Sequence, residues 1–147
     1  MLENLEAFKI LDNIHHTEQF SERFADFIGN GVPYHNELKE ETKSLYLMFF
    51  VGLSSVLGYD SKINFKQELD RPDVVLRMPQ YNAIFQFEVS EFETDEILEK
   101  EAEEAVKKID SKENWYLARV LPLPIYKIGI ACHGKKCLVK TILHEKQ

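Results

Sequence analysis

The stretch "IFQFEVSE" alternates apolar and polar residues, so Gln86 and Glu88, two apart, share one face of a strand. A carboxamide and a carboxylate side by side can line a site. They can equally be the wet face of an edge strand, with Asp73 of "RPDVV" beside them in a solvated salt-bridge network. A second cluster, "ACHGKKC", holds Cys132, His133 and Cys137. Structural zinc takes four ligands at recognisable spacings, and no second cluster completes a set. A disulfide across a hairpin is the alternative, but the expectation for a cytosolic chain is two reduced, half-buried thiols. The pair His15 and His16 falls at a break between helices, where a solvent-facing turn is expected. No G-x-x-x-x-G-K-[ST] loop occurs, so any nucleotide hydrolysis would have to come from elsewhere.

The elements that would position these residues follow from periodicity. Leu2, Leu5, Phe8 and Leu11 predict a first helix, and Phe20, Phe24, Phe27 and Ile28 a second that begins near Thr17. A longer helix is expected over roughly 36–57, with two adjacent apolar stripes: Leu45, Phe49, Gly52, Val56 and Tyr46, Phe50, Leu53, Leu57. That width predicts a buried helix lying on a sheet, ended by Gly58 as a C-cap. The period then drops to two, and strands are expected near 60–68, 74–78 and 83–89. Thr94, Asp95 and Glu96 suit a helix N-terminus, and Leu98, Ala102, Ala105 and Ile109 give that helix its buried stripe. Lys107 and Lys108 at its end are expected from the helix dipole alone. "IYKIGIAC" and "KCLVKTI" flank a turn and predict a terminal hairpin.

The order is helix, three strands, helix, two strands, after an N-terminal helical extension. It predicts an α/β fold with a mixed central sheet and helices on both sides. At 147 residues the chain fits a single domain, divided here into a helical extension over 1–33 and a core over 34–147. The net charge of −7 weighs against tight nucleic-acid binding, which draws on phosphate neutralisation. Leu45 to Leu57 is too short and too interrupted to span a bilayer. No membrane association and a cytoplasmic location are expected.

"RPDVVLRMP", "NAIFQFEVSE", "EAEEAVKKIDSKENWY" and "YKIGIACHGKKC", in that order, resemble the PD-(D/E)XK nuclease superfamily and its restriction-endonuclease-like αβββαβ core. Within it the chain resembles the nuclease-like domain that commonly follows AAA-ATPase-like domains in bacterial proteins. The resemblance runs from about Phe20 to Ile142. It implies Mg²⁺-assisted phosphodiester hydrolysis, with an Asp and a Glu as hard oxygen ligands and a Lys two residues after the Glu that orients the attacking water.

Against that pattern Asp73 matches, but Gln86 stands at the Glu position and Glu88 at the Lys position. Lys43 stands where a helical glutamate often precedes an aromatic, here Tyr46. Lys108 replaces the glutamine before Ile109, and Tyr116 matches the aromatic that follows. Two expectations result. In one the site is degenerate and the domain is a catalytically inactive protein-binding module that needs no cofactor. Its partner would be another protein: a basic one, a nuclease whose site the acidic face fills as a nucleic-acid mimic, a second copy, or an AAA-ATPase-like protein. In the other the site is rewired, with Asp73 and Glu88 holding Mg²⁺ or Mn²⁺ and Lys43 or Lys108 replacing the missing lysine in a nuclease that cleaves DNA or RNA.

Overall fold

The computed structural model describes residues 10–31, 39–113, 124–134 and 136–144. The first predicted helix is described only at its end, and Tyr116 lies outside the described residues. In chain order the elements are α1 (Thr17–Gly31), α2 (Lys39–Leu57), β1 (Asp60–Ile63), β2 (Val74–Arg77), β3 (Asn82–Val89), α3 (Asp95–Asp110), β4 (Ile125–His133) and β5 (Lys136–Leu143). The strands form one mixed sheet in the order β1-β2-β3-β4-β5. All neighbours are antiparallel except β3 and β4, which α3 joins as a crossover.

Helices cover both faces. The phenylalanines predicted to stripe α1 and α2 meet those of β3: Phe24 and Phe50 pack on Phe85, and Tyr46 stacks on Phe87 at 5.4 Å. On the other face Ile109 of α3 joins Val75, Ile84 and Ile125, and Leu98 and Ala102 join Ala131. Alternation along β3 therefore sends Phe85 and Phe87 to the α1/α2 side, and Ile84, Gln86 and Glu88 to the α3 side. Helix α3 lies over β3, β4 and β5 and has no comparable contact with β1 or β2. The flank of α3 beside β2 and β3 is where the polar residues collect.

Gly129 of β4 sets how closely α3 approaches. A Cβ there would stand 2.1 Å from the Ala102 carbonyl oxygen and 3.0 Å from both Val106 Cγ2 and its amide nitrogen. Only a residue without a side chain admits this helix at this depth.

Several expectations change. The first strand stops at Ile63, because Asn64 folds the following residues into a turn. Its side-chain Nδ2 donates to the Glu68 and Arg71 carbonyls, its Oδ1 accepts from the Glu68 backbone amide, and Gln67 adopts φ 51°. In α2 the two stripes are buried unequally: Tyr46, Phe50, Leu53 and Leu57 are inside, Leu45 and Phe49 are half-buried against the core, and Val56 is 53% exposed. Gly58 ends the helix at φ 72°, as a C-cap glycine does. Thr94 sits at the N-cap of α3, but its hydroxyl makes no capping bond. The thiols expected to be free are joined as a Cys132–Cys137 disulfide. The register sets the two residues opposite each other with their Cα atoms 4.2 Å apart, a relation that only the pairing of β4 with β5 creates. His15 and His16 are exposed.

Among the described residues no helix is long and apolar enough to cross a membrane.

Candidate active site

Asp73 stands one residue before β2, where that strand starts to pair with β3. It is 2% exposed. Its Oδ2 accepts a hydrogen bond from the Phe87 amide at 2.8 Å, and its own amide donates to Gln86 Oε1 at 3.2 Å. The loop before β2 and the middle of β3 are thus stitched together through side chains. A carboxylate so far from water requires a positive neighbour. Lys43, from the second turn of α2, supplies it, with Nζ 3.0 Å from Asp73 Oδ2.

Glu88 lies two residues beyond Gln86 on the same face and is more open to solvent. Lys108, from the last turn of α3, pairs with Glu88 Oε1. Lys112, just past the end of α3, reaches in beside it, with Nζ 3.4 Å from Gln86 Oε1. Burial lowers the pKa of Lys112. The charges of Lys43 and Lys108 push the same way, and those of Asp73 and Glu88 push back. Three ammonium groups therefore face two carboxylates, leaving one surplus positive charge inside a chain of net charge −7.

All five residues singled out in the sequence meet here: Lys43 on Asp73, Lys108 on Glu88, and Gln86 on the Asp73 amide. Lys112 was missed. Its spacing of four from Lys108 is a usable signal, but it lies beyond the apolar stripe that marks the helix.

The donor set does not fit the divalent ion that this arrangement of Asp and strand residues suggests. Mg²⁺ takes close to six oxygen ligands at about 2.0–2.1 Å, and its protein ligands are normally carboxylates free to turn toward it. Here Asp73 Oδ2 is held by an amide and an ammonium, Glu88 Oε1 by a second ammonium, and Gln86 Oε1 by an amide and a third. Among the described residues no three His, Cys, Asp or Glu side chains are grouped to hold a metal.

A meander β1-β2-β3, a crossover helix to a parallel β4, an Asp at the head of β2 and two polar residues on one face of β3 define a restriction-endonuclease-like α/β domain. The family model described as PD-(D/E)XK nuclease superfamily matches residues 41–142, and the chain belongs to that superfamily. No curated protein and no solved structure matches it significantly.

Proposed function

We propose that this chain is a PD-(D/E)XK nuclease-like domain that no longer cleaves phosphodiesters and acts by binding, its partner being another protein. One observation carries the reading: Asp73, the residue that keeps its family identity, holds the ammonium of Lys43 at 3.0 Å. The outward face of α3 supports a protein partner. Glu96, Glu99, Glu103 and Glu104 are exposed there, an acidic row that repels a phosphate backbone and suits a basic protein surface.

A second reading, a rewired nuclease, draws on Lys112. Its lowered pKa and its position beside Gln86 make it a further candidate for the missing lysine, next to Lys43 and Lys108.

Calorimetric titration with Mg²⁺ and Mn²⁺, on the unaltered chain and on Asp73→Ala, separates the two readings when combined with incubation with single- and double-stranded DNA and RNA. The non-cleaving reading expects no saturable heat and no cleavage. Saturable binding that Asp73→Ala abolishes, together with cleavage, would establish the nuclease instead.

A further inference from the structure

We infer that Lys43 is a built-in cation standing in the place of a divalent ion at Asp73, so that this corner of the sheet is a masked divalent-cation site. The inference rests on the non-cleaving reading and adds to it the group responsible.

The orientation of Asp73 does not depend on Lys43. Its Oδ2 is fixed by the Phe87 amide at 2.8 Å, and its backbone by the bond from its amide to Gln86 Oε1. Both partners belong to β3, which is held in the sheet along its whole length. Lys43 comes from a different element, α2, and its side chain is 19% exposed against 3% for Asp73. The ammonium thus reaches the buried carboxylate from the more open side of the pair. Remove it, and a fixed carboxylate is left with Oδ2 lacking the cation that balanced it. A glutamate at residue 43, shorter than lysine, would leave the spot the ammonium held open to an ion and bring a second hard oxygen donor beside it. Glu88, on the same face of β3, is already paired with Lys108, so the negative charge offered to an ion comes from Asp73 and from the carboxylate placed at residue 43.

The electrostatic change is large. Exchanging a positive for a negative charge at a position within salt-bridge distance of the ion shifts divalent-cation affinity by on the order of a hundredfold or more, even with strong solvent screening.

The test is Mn²⁺ titration, followed by calorimetry and by the paramagnetic signal of free Mn²⁺. It uses the unaltered chain, Lys43→Glu, Lys43→Gln, and Lys43→Glu combined with Asp73→Asn, with folding checked by circular dichroism. Lys43→Glu is expected to take up a single Mn²⁺ on the order of a hundredfold more tightly than the unaltered chain. The added Asp73→Asn is expected to abolish this. Lys43→Gln, which removes the positive charge and supplies only a neutral carbonyl in place of a carboxylate, should fall between them. A folded Lys43→Glu that binds no better than the unaltered chain would overturn the inference while leaving the non-cleaving reading intact. Tight binding by the unaltered chain itself would overturn both. Should Lys43→Glu fail to fold, Lys43→Gln decides: affinity above that of the unaltered chain supports the mask, and equal affinity refutes it.

Discussion

If Asp73 is held by Lys43 and the Phe87 amide, its loss should be felt in stability even where no reaction is being measured. Asp73→Ala removes the acceptor of a buried amide, at about 1–3 kcal/mol. It also leaves the Lys43 ammonium without its partner. Breaking a fully buried pair costs about 3–5 kcal/mol and an exposed one about 0–1 kcal/mol. Lys43 is 19% exposed, so it lies between these limits. Together these give about 3–4 kcal/mol for Asp73→Ala. Asp73→Asn keeps an acceptor for Phe87 and should cost about half as much. A double-mutant cycle of Asp73→Asn with Lys43→Met isolates the pair, and the expected coupling is about 1–2 kcal/mol. Urea unfolding reads Asp73→Ala and the four proteins of the cycle, the midpoint moving while the slope stays fixed. A coupling below about 0.3 kcal/mol, the ordinary limit of additivity, would show that the two residues do not meet in solution. The masked-site argument would then fall with it.

Two glycines make a matched pair of opposite sign. Gly129→Ala drives a Cβ to 2.1 Å from the Ala102 carbonyl, so α3 must retreat by about an ångström, and a loss of about 3 kcal/mol is expected. Gly52→Ala meets nothing within 4 Å in the middle of α2 and should stabilise by about 0.5–1 kcal/mol. Thermal unfolding of both variants checks this. Burial pushes the Tyr46 hydroxyl up to about 12 from 10.0. Its folded pKa is raised, so its contribution is complete below pH 10 and is lost as pH rises through 12. The loss is on the order of 2–3 kcal/mol. Lys112 has the opposite sign: its folded pKa is lowered, so stability rises with pH up to its unfolded value of 10.5. Urea unfolding at several alkaline pH values should show a shallower decline above pH 10 in Tyr46→Phe than in the unaltered chain. A parallel decline would refute the assignment.

The fold was largely legible in the sequence, because period and order carry it. Phe20, Phe24 and Ile28 mark α1, and Leu98, Ala102, Ala105 and Ile109 mark the buried side of α3, with no three-dimensional knowledge required. The errors arose where a local pattern imitated another. "KINFKQEL" alternates like a strand, yet the Asn64 side chain satisfies the backbone of the turn and ends β1. Two adjacent apolar stripes on α2 suggested equal burial, but the sheet and α1 cover the second only as far as Leu45 and Phe49 and leave Val56 outside. The site was legible as a set of positions but not as a set of partners. Gln86 accepting from the Asp73 amide, Lys43 settling on Asp73 and Lys112 arriving from past a helix end all depend on how separate elements converge. The disulfide was hidden for the same reason, since register rather than spacing pairs Cys132 with Cys137.

Strand β3 serves two constituencies at once. Phe85 and Phe87 answer to the aromatic cluster beneath the sheet, whereas Gln86 and Glu88 answer only to charge and hydrogen bonding on the opposite side. Mutational tolerance along these four residues should therefore rise and fall with every step. The aromatic positions are bound to shape, and the polar ones can drift as long as their small electrostatic circle closes. A chain built this way can exchange the chemistry of its site while its architecture stays put, because the two are written on alternate letters of the same strand.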